Sequence, residues 1–180
     1  MRNKFVHIAF SVLSIVISAA LQDMALPIFG IKPPVILAVT LFTIIKSVAD
    51  ERSQVNFRMV NFKWLFFALI AGAMTDAIGS LPSGCAVGFF LIVSIAVRIT
   101  SRVLKEVSRV VTGWLALVVA TPIFMTWIDV WGVSTYVSDS PFRALLAIVP
   151  AALTGFVVFP LMQWIEKAVG LDIKSQGVIS

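Results

Sequence analysis

Apolar positions in this chain gather into long unbroken runs. They neither alternate with polar ones at period two nor keep to one stripe of a helix. Six runs can be drawn: Phe5–Leu21, Pro33–Ala49, Trp64–Leu81, a fourth that opens at Gly84 and is drawn to residue 104, Val110–Trp131 and Ala144–Trp164. The fourth is free of charge only as far as Val97. A membrane-crossing helix needs about 20 predominantly apolar residues. The pattern therefore predicts an all-α membrane protein, a polytopic bundle of six transmembrane helices forming one domain over residues 1–180. The second and fourth runs are short, and lysine or arginine side chains snorkelling at their ends make up the length. Pro122, Pro150 and Pro160 lie inside runs and predict kinks.

Composition agrees. Of 180 residues, 59% are hydrophobic and 13% charged, and the mean hydropathy is +1.02. An ordinary soluble domain is about 25% charged, so that class is excluded. Six spans with short connections use nearly the whole length and leave no room for a soluble catalytic domain.

Charge placement orients the runs. With the N-terminus inside, Arg2, Lys4, Lys46, Arg52, Arg58, Lys63, Arg98, Arg102, Lys105, Arg109, Lys167 and Lys174 fall on the inner side. Only Lys32 and Arg143 fall outside. That asymmetry follows the positive-inside rule and predicts an N-in, C-in topology. The net charge of +5 is thus a topological signal, and no nucleic-acid partner is expected. Trp64 and Trp164 fall at the inner ends of their runs, Trp127 and Trp131 at an outer end, where aromatic belts sit. Arg2-Asn3-Lys4 before an apolar stretch and Ser18-Ala19-Ala20 also resembles a signal peptide. The run exceeds the usual 7–15 residues of a signal core, which favours a retained helix.

Asp76 stands out in the third run, within Gly72-Ala73-Met74-Thr75-Asp76-Ala77-Ile78-Gly79-Ser80. A carboxylate at the centre of a membrane helix costs about 2.5–3.5 kcal/mol on insertion scales, so it turns toward protein or water. Ala68, Gly72 and Asp76 recur every four residues and share one helix face, with Gly79 close to it. The stretch Gly79–Gly84, containing Pro82, reads as a tight outer turn. Three roles stay open for Asp76: accepting hydrogen bonds from a neighbouring helix or the turn amides, lining a polar cavity that meets a partner or ligand, or carrying a proton. The last lacks a second intramembrane acid or histidine as relay.

Asp129, between Trp127 and Trp131, is placed at the outer interface, in water or facing Arg143 or a partner. Arg98, Arg102, Lys105 and Arg109, spaced 4, 3 and 4 apart, would form one cationic stripe if the fourth helix continued past the membrane boundary. Such a stripe suits anionic lipid headgroups or an acidic partner. Small residues at four-residue spacing (Ala147, Ala151 and Gly155; Ala116 and Ala120) signal helix packing. Cys85 and His7 are each the sole residue of their type, so no disulfide, metal site, cofactor or histidine-dependent triad is expected.

These residues together resemble the MreD family, integral membrane proteins of bacterial rod-shape determination. The resemblance spans most of the chain: the basic N-terminus, a first helix ending in Ala20-Leu21-Gln22, Lys32-Pro33 opening the second, and Gly72, Asp76 and Gly84 at the family's spacing. Pro34 stands where the family often has a polar residue, and Gly79-Ser80 reverses its usual Ser-Gly order. The resemblance implies a fold akin to the substrate-binding subunits (S-components) of energy-coupling-factor transporters, and an inner-membrane location. It also implies a non-enzymatic scaffold of cell-wall elongation that binds the bitopic protein MreC. Through MreC it would help to organise RodA, its penicillin-binding transpeptidase partner and the actin-like MreB. The competing expectation is a small-solute-binding subunit of a transporter. Against it, the first helix lacks the alanine-x-x-x-alanine docking pattern of such subunits, with only Ser14 and Ser18 at that spacing.

Overall fold

Every residue from Ile36 to Ile45 is buried, so this stretch of α2 (Val35–Ser53) is enclosed by protein on all sides. In the computed structural model, which describes residues 2–28, 31–53, 63–79, 81–103, 108–131 and 140–169, five helices pack around it. They are α1 (Arg2–Met24), α3 (Lys63–Gly79), α4 (Cys85–Val103), α5 (Arg109–Val130) and α7 (Ile148–Ala168). A helix that is apolar all round belongs in the interior, and α2 meets that condition with Ile36, Leu37, Leu41, Phe42, Ile44 and Ile45.

The architecture is an all-α bundle of six helices, the last broken in two. α6 (Ser140–Leu146) and α7 are separated at Ala147. Pro150 follows, and having no N–H it cannot bond the Leu146 carbonyl one turn back. α5 and α7 run through Pro122 and Pro160 without interruption. Two helical stretches, Val110–Val130 and Ala144–Ala168, are long and apolar enough to cross a membrane. Ile8–Met24, Val35–Ser47 and Cys85–Thr100 are shorter apolar helices.

Buried hydroxyls are satisfied locally. Thr40, Thr43, Thr75, Ser94, Thr121 and Thr154 each donate to the carbonyl four residues earlier in their own helix, so they cost no orphaned donor and tie no helices together. What joins the helices is shape. A Cβ on Gly113 of α5 would stand 2.5 Å from Phe159 Cε1 of α7, and one on Gly155 of α7 would stand 2.7 Å from Trp114 Cδ1 of α5. Each helix thus receives an aromatic ring of the other over a glycine, and the Trp114 indole N–H donates to the Ala152 carbonyl at 3.0 Å. Ala147 and Ala151 are fully buried beside this seam.

The outer surface is apolar. Leu13, Ile17 and Leu21 project from α1, Phe66 and Leu69 from α3, Ile92, Ile95 and Ile99 from α4. Val111, Leu115, Val119 and Ile123 project from α5, and Leu153, Phe156, Val157 and Leu161 from α7. These recur every three or four residues, one face of each helix, and the face they mark points away from the bundle.

Candidate functional site

Asp76 sits in the last turn of α3, which ends at Gly79, and the chain re-enters a helix at Cys85. Its backbone carbonyl accepts the Leu81 N–H at 3.1 Å, closing the end of α3. Its carboxylate reaches over to α4: Oδ2 accepts the Gly84 N–H at 2.9 Å and Oδ1 the Ala86 N–H at 2.7 Å. The Gly84 carbonyl accepts the first helical bond, from Gly88 N–H at 2.9 Å, which makes Gly84 the N-cap residue of α4. Asp76 therefore satisfies the N-cap and second-residue amides of α4, two donors that no carbonyl within the helix can reach. Its carboxyl group lies at the positive end of the α4 dipole. The residue is buried, so these bonds replace water.

The glycines around it have separate reasons. A Cβ on Gly72 would stand 2.5 Å from Val87 Cα and 2.8 Å from Val87 N. Backbone approaches backbone there, and no side chain can give way. Gly84 has φ +92°, a left-handed conformation that L side chains rarely adopt, with open space around it. Gly79 meets only the Leu81 side chain, at 3.1 Å. The same turn is held from a third helix, where the Trp127 indole of α5 donates to the Cys85 carbonyl at 3.0 Å. Phe89, one helical turn on, packs its ring at a tilt against Phe124 and Trp127.

A parallel device closes the first helix pair, through a residue that no sequence motif marks. Gln22, near the end of α1, accepts the Ile36 N–H at 3.0 Å through Oε1, capping the second residue of α2 as Asp76 caps α4. Ile28 and Ile31 exchange backbone hydrogen bonds of 2.9 and 3.0 Å in the connection, and Lys32 pairs with Asp23 at 3.0 Å. Between these two capped turns lies a cavity of about 120 Å³ whose walls include Gln22, Lys32, Thr75, Phe90, Thr121 and Phe124.

At the opposite end of the bundle, Lys46 of α2 and Glu166 of α7 form an ion pair whose side chains are only 13% and 14% exposed. Arg98 lies 5.1 Å over the Trp64 ring. Trp64 is buried rather than set in a surface belt, and its indole N–H has no acceptor among the described residues.

The cationic stripe is corrected. Arg98 and Arg102 stand on α4, but Arg109 opens α5. Ser108, with φ −53° and ψ 136°, is not helical, so the four residues cannot share one helix face. Lys105 lies outside the described residues. Asp129 is half-buried near the end of α5, and its carboxylate has no hydrogen-bond partner among the described residues. Arg143 is on α6, with its side chain outside the described residues. Among the described residues no group of three or more His, Cys, Asp or Glu could hold a metal ion.

No family model, curated protein or solved structure matches this chain.

Proposed function

We propose that the chain is a non-enzymatic, multi-pass scaffold of the bacterial inner membrane, of the MreD type, that binds an MreC-like bitopic partner and helps to organise peptidoglycan synthases. The observation that carries this reading is how the most conspicuous motif is used. Asp76, Gly72 and Gly84 are spent on holding α3 against α4, and the carboxylate has both oxygens engaged by amides. A chain whose central acid is architectural has its remaining assets on its surface.

That surface supports the membrane half of the reading. Large apolar side chains exposed on α1, α3, α4, α5 and α7 would form patches far beyond the few hundred Å² that soluble monomers tolerate. In lipid they need no cover. The six-helix, N-in and C-in topology rests on the alternating charge of the connections. The sequence resemblance supplies the cell-wall role and the partner.

The test is complementation. A rod-shaped bacterium depleted of its own MreD should regain rod shape when it expresses this chain, and MreC should be recovered with the chain after detergent extraction. Round cells and no MreC, in the presence of membrane-inserted protein, would sink the proposal. Protein released from membranes by alkaline carbonate would instead sink the membrane reading itself.

A further inference from the structure

We propose that the cavity between the two capped turns is a binding site for a small amphiphile, a short hydroxy- or amino-carboxylate. It is the point where α1, α2, α3, α4 and α5 converge. Its size sets the first limit. A cavity of about 150 Å³ lodges benzene, six heavy atoms, so about 120 Å³ encloses about five, and the carboxylate oxygens of a longer molecule must lie at the open side, beside the half-exposed Lys32.

The second limit comes from the hydrogen-bonding capacity that the wall leaves unused. Thr75 and Thr121, both buried, donate their hydroxyl hydrogens to Ala71 and Leu117, each at 2.8 Å. What remains on each is an acceptor oxygen. Gln22 has its Oε1 engaged by Ile36 N–H, and its Nε2 donors make no bond among the described residues. Lys32, half-exposed, uses Nζ on the Asp23 carbonyl and carboxylate, and an ammonium has three hydrogens. The buried threonines therefore offer acceptors, and the less enclosed Gln22 and Lys32 offer donors and a positive charge. Phe90, Phe124 and Leu37 supply apolar wall. The complement of that wall is a molecule with a hydroxyl or amine at its buried end, a short hydrocarbon body and a carboxylate toward Lys32. Apolar walls with a few placed polar groups are the usual composition of a small-molecule site.

Three probes separate the elements of this proposal: 4-hydroxybutyrate, butyrate without the hydroxyl, and butan-1-ol without the carboxylate. The full chain in detergent is unfolded thermally, by tryptophan fluorescence, across a concentration series of each. Hydroxybutyrate is expected to raise the midpoint saturably, with the other two needing about tenfold higher concentration, the usual effect of one lost hydrogen bond. Thr121→Val should erase the gap between hydroxybutyrate and butyrate. Thr75→Val serves the same purpose where Thr121→Val does not fold. No saturable rise with any probe, equal responses to all three, or an unchanged ranking in the valine variants would each overturn the proposal and leave a cavity holding water only. The scaffold role is judged separately by cell shape, so the two can fail independently.

Discussion

The Asp76 carboxylate and the Ala86 amide are 2.7 Å apart, ten residues distant in sequence and on different helices. The side chain of one helix thereby completes the start of the next. Most N-caps are local, from the residue just before the helix. Here the local position is occupied by Gly84, which has no side chain to offer and is needed for its φ of +92°. The cap must come from elsewhere, and Asp76 supplies it.

Asp76→Ala should therefore lower stability by about 2–4 kcal/mol, combining loss of a cap with at least one buried amide left unpaired. Asp76→Asn keeps one good acceptor and should fall between wild type and alanine. Thermal unfolding of the three proteins in one detergent measures this order. An alanine variant as stable as the asparagine variant would mean that the two amides find other partners.

The glycines of the same turn should separate by cause. Gly72→Ala forces a Cβ against Val87 backbone and should cost about 3 kcal/mol or more, at the upper end of overpacking effects. Gly84→Ala has room but the wrong backbone region and should cost about 1–2 kcal/mol. Gly79→Ala meets only the Leu81 side chain and should stay within about 1 kcal/mol of wild type, because alanine favours helix over glycine by a similar amount. A ranking in which Gly79 is the most sensitive would contradict the observed approach of α3 to α4.

The two glycine–aromatic contacts of α5 and α7 predict coupling. Gly113→Ala alone should be destabilising by about 1–3 kcal/mol, and Phe159→Ala alone by about 3–5 kcal/mol. In the double variant the new methyl occupies space that the ring has vacated. The combined cost should fall short of the sum by more than about 0.5 kcal/mol. Strict additivity would show that Gly113 and Phe159 do not share a contact.

Much of this was legible in the chain because lipid-type patterning writes each helix as an uninterrupted apolar run. The positions of all six helices followed from that, and so did a tight turn between Gly79 and Gly84. Legibility failed where the determinant was a partner remote in sequence. Gln22 is an unremarkable polar residue until Ile36 N–H is placed 3.0 Å from it. Burial on all sides of α2 was equally hidden, since a lipid-facing helix and a protein-enclosed one are both apolar throughout. The cationic stripe misled for a local reason: spacing of 4, 3 and 4 describes one helix face only if no residue between leaves the helix, and Ser108 does.

Lys46 and Glu166 give the last prediction, and it concerns the end of the bundle opposite the capped turns. Their side chains are nearly as enclosed as the core, 13% and 14% exposed, and they link the central helix to the last one across 120 residues of sequence. Removing Lys46 takes the cation from beside an enclosed carboxylate, and breaking a buried pair from one side costs about 3–5 kcal/mol. Lys46→Met should approach the lower end of that range, since a sliver of each side chain still reaches the surface. Replacing both, as Lys46→Met with Glu166→Met, also removes the enclosed carboxylate and should be less destabilising than Lys46→Met alone. Restored stability in the double variant, read as the midpoint of thermal unfolding, would show that α2 and α7 are held chiefly by packing and that the pair fixes their register. A double variant weaker than either single one would show that the ion pair itself holds the last helix to the centre.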